Sequence, residues 1–214
     1  MSREPTALGE PPIAVPGCWP RRRSTRGVLL VDVFNDFAHE DGDRLCRSYL
    51  ERFEGLGWLV AWARDAGLPV AYANDSLPAA RCTRDAIIAA AVAGRLGDLC
   101  SRIAPRDGDV FVIKPLYSGF EQTPLEPALR RLGVEELIVA GAATERCVAQ
   151  TVTSARERGF DCLVAADACA TVDERLESIA FDYLAEVAEA RIVTTRELCS
   201  PSAAGRPVAA AIGG

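Results

Sequence analysis

Leu137-Ile138-Val139-Ala140-Gly141-Ala142-Ala143-Thr144-Glu145-Arg146-Cys147 is the stretch on which the fold turns. Its four leading apolar residues read as a buried strand, Gly141 opens a turn, and Thr144 stands where an N-cap belongs for a helix running to about Arg158. Outward from it the same alternation repeats. Apolar runs rich in Val, Ile and Leu predict strands near 27–33, 69–73, 109–113, 135–140, 161–166 and 191–194. Between them, Tyr49, Phe53, Leu56, Val60 and Ala63 recur at steps of three and four, one stripe of a helix over Cys46 to Ala66 that Gly67 stops. Pro124 to Leu132 opens with a Pro and closes at Gly133, and Asp173 to Ala188 repeats the pattern. Six strands alternating with helices imply an α/β fold: a Rossmann-like doubly wound sandwich, its six-stranded, mostly parallel sheet covered by helices on both faces. Ligands of such folds bind at the C-terminal strand ends.

Three of those ends carry chemistry. Val28-Leu-Leu-Val ends at Asp32, Val110-Phe-Val-Ile ends at Lys114, and the opening stretch ends at Cys147. An acid, a base of opposite charge and a thiol, distant in sequence, can therefore share one crevice as a nucleophile and its activators. In the first turn of a helix the backbone N–H groups and the positive dipole end favour a thiolate at Cys147, and N–H groups of the same turn can receive an oxyanion. The bland alternative is a small buried hydrophobe, the commonest fate of a free Cys. Asp32 closes an apolar strand, where an unpaired carboxylate is expensive, so it needs Lys114 or Cys147 as a partner, or else caps the next turn as Asn35 and Asp36 do. Lys114 is the only Lys among the 24 basic residues. A solvated surface Lys is its bland reading; a cation stabilising Asp32 is the other.

Composition narrows the class. The 214 residues, 49% hydrophobic, suit a single domain with a full core. Residues 1–25 hold five Pro and a basic triplet without hydrophobic period and read as a flexible arm; 26–199 form the domain; the Ser-Pro-Ala-Gly tail 200–214 is loose. A net charge of −6, with Arg21 to Arg23 as the one basic cluster, argues against nucleic acid. Eight irregularly spaced Cys without a CxxC pair read as reduced thiols in the cytoplasm rather than a disulfide or zinc scaffold. The longest apolar stretch, Ala86 to Ala93, is too short for a membrane span, and the start lacks the order of a secretory signal. A nucleotide-binding Rossmann module is disfavoured, because no GxGxxG follows the first strand and no GxxxxGK[ST] occurs.

Leu-Leu-Val-Asp32-Val-Phe-Asn35-Asp36-Phe37, Lys114-Pro-Leu-Tyr117-Ser118-Gly119-Phe120-Glu-Gln-Thr123, and Gly141-Ala-Ala-Thr144-Glu-Arg-Cys147-Val148-Ala-Gln-Thr151 resemble, in order and spacing, the three signatures of the isochorismatase-like cysteine hydrolases. The resemblance covers roughly Gly27 to Thr195. It implies a catalytic triad of Asp32, Lys114 and Cys147, an oxyanion hole from the N–H groups of Ala143 and Cys147, and a cis Ala142–Ala143 peptide. It implies hydrolysis of a small-molecule amide or ureido C–N bond without an organic cofactor, in a homo-oligomer, dimer or tetramer. Phe37, Asn74, Asp75, Tyr117 and Phe120 are the expected substrate contacts.

Departures from the family pattern limit the assignment. Nicotinamidase relatives carry a metal-binding Asp and His pair after the second strand, where this chain has Tyr72-Ala-Asn74-Asp75-Ser76-Leu-Pro; its one His, His39, follows the first strand, so no metal site is expected. True isochorismatases cleave an enol ether and can lack the Cys, so retention of Cys147 favours C–N cleavage. Arg81 or Arg84 could hold a substrate carboxylate, or simply be solvated at a helix start. A catalytically silent binding or scaffold subunit of the same fold is the remaining rival.

Overall fold

The computed structural model describes residues 26–75 and 82–199, so the expected N-terminal arm, the C-terminal tail and Arg81 lie outside the described residues. Six strands, β1 (Arg26–Val31), β2 (Val70–Asp75), β3 (Val110–Lys114), β4 (Glu136–Ala142), β5 (Asp161–Ala170) and β6 (Arg191–Val193), form one sheet in the order β3-β2-β1-β4-β5-β6. Every pairing is parallel. The expectation of a mostly parallel sheet thus becomes a wholly parallel one.

Helices α1 (Gly42–Asp65), α2 (Arg84–Ala93), α3 (Gly97–Arg102), α4 (Leu125–Arg131), α5 (Ala149–Glu157), α6 (Glu174–Glu186) and α7 (Thr195–Cys199) fill the connections. Because side chains alternate across a strand, the sheet sorts its apolar residues into two cores. Val28, Leu30, Val70, Tyr72, Ile138 and Ala140 meet α1, α2, α3 and α7 on one face. Leu29, Val31, Ala71, Ala73, Leu137 and Val139 meet α4, α5 and α6 on the other. The predicted stripe of α1 is buried at Tyr49, Phe53, Leu56, Val60 and Ala63.

The crossovers from β1 to β3 pack on one face and those from β3 to β6 on the other; at the switch, between β3 and β4, the chain returns to the sheet beside β1, and α7 goes back to the first face. The connections after β1 and β4 therefore leave in opposite directions, and a crevice opens between them. Gly141 sits at this split. It has φ +132°, and a Cβ there would lie 1.9 Å from the carbonyl oxygen of Val31, its register partner on β1. Only a glycine lets the two strands approach so closely where they part. No helix of the described residues is long and apolar enough to cross a membrane.

Candidate active site

Asp32 follows β1 in the left-handed region, φ 49°, a conformation that Asp tolerates better than most residues and that turns the chain sharply at the strand end. The loop beyond is fixed from below. The Tyr49 hydroxyl donates to the Val33 carbonyl at 2.6 Å, and Asn74 brackets Phe34, accepting from its N–H and donating to its carbonyl, both at 3.0 Å. Asn35 and Asp36 accept from the N–H groups of Phe37 and Ala38, the local turns expected of them.

Lys114 reaches the same crevice from edge strand β3. Its side chain is wholly buried, and its ammonium lies 2.8 Å from Asp32 Oδ2, forms a second ion pair with Asp75, donates to the Leu116 carbonyl at 3.2 Å and lies 3.4 Å from Cys147 Sγ. Asp75 ends β2, and its own N–H donates to Asp32 Oδ1 at 2.7 Å. Three neighbouring strand ends thus tie their charges together, and the thiol of a fourth joins them. The structure excludes the surface reading of Lys114. Ligand-type atoms of Asp32, Asp75 and Cys147 lie within 4.8 Å of one another, and the cation that touches all three is the Lys114 ammonium.

Cys147 arrives on a turn that departs from the expected helix. Residues Thr144–Val148 form a five-residue π-helical turn before α5 begins, and the peptide between Ala142 and Ala143 is cis. The wider turn converges on one acceptor: the Ala143 carbonyl receives the N–H of Arg146 at 3.0 Å and of Val148 at 3.2 Å. Thr144 is not the N-cap. Ala143 occupies that position, and the buried Thr144 hydroxyl lies 3.1 Å from the Ala170 carbonyl and 2.9 Å from Glu177 Oε1. Glu145 accepts from the Thr171 hydroxyl at 2.8 Å and the Val172 N–H at 3.2 Å, while Arg146 pairs with Asp41 at 2.9 Å. Three consecutive residues before the cysteine are each anchored to a different neighbour.

The protonation states complement one another. Burial, helped by the Asp75 charge, outweighs Lys114 and pushes Asp32 up to about 6. Burial first, then the Asp32 carboxylate, raises the Cys147 thiol well above its usual value despite Lys114. The helix start therefore does not yield a resting thiolate, contrary to the expectation from position, because desolvation and a facing carboxylate exceed the favourable fields of the turn and the ammonium. For Lys114 burial acts downward, yet Asp32, Cys147 and Asp75 together hold its ammonium above the ordinary range. Near neutral pH the crevice holds a carboxylate beside a thiol. Asp32 Oδ2 meets the Lys114 ammonium, and the carboxylate lies within hydrogen-bond reach of the Cys147 thiol.

The expected substrate contacts are dispersed. Asp75 is at the crevice with its side chain 60% exposed, whereas Asn74 is buried with both ends engaged by Phe34. Phe37 packs edge-on against Tyr49, and Phe120 packs on Phe160 in the opposite core. Tyr117 is 59% exposed on the loop after β3. Arg84 donates to the Pro105 carbonyl at 3.5 Å, and His39 is exposed. The Gly119 N–H donates to the buried Thr151 hydroxyl at 2.9 Å, which locks the second motif onto the third. Glu177, Arg52 and Glu145 went unnoticed in the sequence. A signal for Glu177 was there: it occupies the inward position of α6 shared with Ala180 and Leu184, where a lone carboxylate is out of place.

An isochorismatase domain matches residues 26–197. The chain belongs to the isochorismatase family. Among curated relatives, isochorismatase family protein YaaI of Bacillus subtilis is 27% identical over 176 residues, 82% of this chain and 97% of its own. Ureidoacrylate amidohydrolase RutB of Methylorubrum extorquens matches more locally, 40% identical over 70 residues, 33% of this chain and 28% of that protein. Among solved structures, N-carbamoylsarcosine amidase of Thermoplasma acidophilum superposes with a TM-score of 0.63 at 26% identity, covering 80% of this chain and 97% of that one. Nicotinamidase/pyrazinamidase PncA of Bacillus subtilis shares the fold, TM-score 0.65, at 23% identity over 79% of this chain and 100% of that one. This isochorismatase-family hydrolase therefore has amidohydrolases among its relatives.

Proposed function

We propose that the chain is a cysteine-dependent hydrolase that cleaves the amide or ureido C–N bond of a small molecule. The observation that carries this reading is the single ammonium of Lys114 in contact with both Asp32, at 2.8 Å, and Cys147, at 3.4 Å, in a buried crevice at the topological switch of the sheet. Amidohydrolases among the relatives support the same bond class.

Asp32, ionised above about 6, takes the Cys147 proton as the sulfur adds to the substrate carbonyl. The N–H groups of Ala143 and Cys147 hold the resulting oxyanion. As the C–N bond breaks, the nitrogen leaves with the proton from Asp32 and a thioester remains on Cys147. Water then gives its proton to Asp32 and its oxygen to the carbonyl carbon, and cleavage of the C–S bond returns the proton to sulfur. Lys114 offsets the negative charge throughout. Asp75, half open at the mouth, is the substrate contact that we favour among those expected, with Tyr117, exposed on the loop after β3, the second.

Ammonia release from a panel of primary amides, ureido acids and lactams tests this, with Cys147→Ala as the blank. Turnover by the wild type that Cys147→Ala abolishes is the expected result. Absence of turnover across the panel would favour the silent binding subunit.

A further inference from the structure

We propose that Glu177 and Arg52 are positioning residues that aim the nucleophile turn through the hydroxyl of Thr144; the proposal rests on Cys147 being the nucleophile. Glu177 lies on α6, and its side chain is only 9% exposed. Its carboxylate meets two nitrogens of Arg52, at 3.4 and 3.2 Å, and the Thr144 hydroxyl at 2.9 Å. Arg52 comes from α1, on the opposite face of the sheet, and also donates to the carbonyls of Ala166 and Cys169, at 3.3 and 3.1 Å, on β5. The pair therefore links both helical layers across the end of β5 and directs one carboxylate oxygen at the first residue of the catalytic turn.

Stability alone is a poor reason for this pair. Desolvating a carboxylate and a guanidinium offsets most of their attraction, and apolar residues of similar volume commonly serve a core as well. What apolar residues cannot supply is direction. The one proton of Thr144 is shared between Glu177 and the Ala170 carbonyl, so the turn is gripped from a helix and from a strand end at once. From Thr144 the turn closes tightly, because the N–H groups of Arg146 and Val148 on either side of Cys147 both bind the Ala143 carbonyl. A displacement at Thr144 is thereby transmitted to Sγ, which must stay beside Lys114 and Asp32 to react.

Thiol alkylation tests this without any knowledge of the substrate. The rate of Cys147 modification by iodoacetamide, followed by mass mapping as a function of pH, is compared in the full chain and in Thr144→Val, Thr144→Ser, Glu177→Leu and Glu177→Gln. Thr144→Val keeps shape and removes only the hydroxyl, so it remains informative even where Glu177→Leu fails to fold. We expect Thr144→Val and Glu177→Leu to change the Cys147 rate by about tenfold and to move its pH midpoint, with Thr144→Ser and Glu177→Gln recovering most of both. A purely structural role would lower the melting temperature and leave rate and midpoint of the folded molecules unchanged, which would overturn the proposal. Equal behaviour of Thr144→Ser and Thr144→Val would overturn it too. Failure of the amide panel with a wild-type effect intact would strike the proposed reaction and leave this device standing.

Discussion

On one side of the crevice Asp32, Asp75 and Lys114 hold one another by charge across three adjacent strand ends; on the other, Thr144, Glu145 and Arg146 hold the cysteine turn by hydrogen bonds to separate neighbours. The charged side is mutual: Lys114 draws the pKa of Asp32 down, Asp75 pushes it up, and Asp32 in turn holds the ammonium of Lys114. The hydrogen-bonded side is distributed, so its losses are partial. Chemistry that moves a proton needs the first kind of wall, and chemistry that fixes an attack angle needs the second.

The largest effects fall where the two sides meet. Cys147→Ala and Asp32→Asn are each expected to lower kcat/KM by about a thousandfold or more, with the double variant no worse than the singles, because the two act as one unit. Additive losses would show that the walls work independently. Lys114→Met, which leaves the buried Asp32 without its counterion, is expected to cost about 3 kcal/mol in urea unfolding at neutral pH. An unchanged midpoint would break the view that this side is held by charge.

Gly141→Ala tests the seam. With a Cβ 1.9 Å from the Val31 oxygen and φ +132°, a loss of about 2 kcal/mol or more in melting or denaturant experiments is expected, together with loss of turnover as β1 and β4 separate. A subtler change follows from Asp75→Asn. Turnover should rise through pH about 6 as Asp32 loses its proton, and since the Asp75 charge helps hold that proton, the acid limb should move to lower pH in the variant. A limb that stays put would remove Asp75 from the charged wall. The smallest effect is expected for Arg146→Ala, whose pair with Asp41 is 48% and 25% exposed and is worth less than about 1 kcal/mol in thermal unfolding.

The charged wall was legible in the sequence because apolar strands punctuated by Asp32 and Lys114 leave few places for those charges to go, and a parallel sheet gathers strand ends along one edge. The strand and helix order was legible for the same reason, since period two and period three to four are local signals. The hydrogen-bonded wall was not. Thr144 looks like an N-cap when only its neighbours along the chain are considered, yet its hydroxyl is claimed by Glu177, 33 positions further on. Phe37, Asn74 and Phe120 are similar: their motifs drew attention to substrate, whereas their side chains brace loops and cores. Which side of a loop a ring faces is decided by packing from distant segments, and no local pattern records that.

The position of Lys114 between carboxylate and thiol has one last corollary. In the proton transfer proposed from Cys147 to Asp32, the negative charge would only change hosts around a stationary ammonium, and the sum over the three groups would be the same before and after. Creating a lone thiolate in an apolar cleft would be costly; relocating an existing anion by a few ångströms around its counterion is far less so. On the proposed mechanism the step would then depend little on the ionic strength outside, because the buried Lys114 ammonium rather than a mobile ion is the counterion.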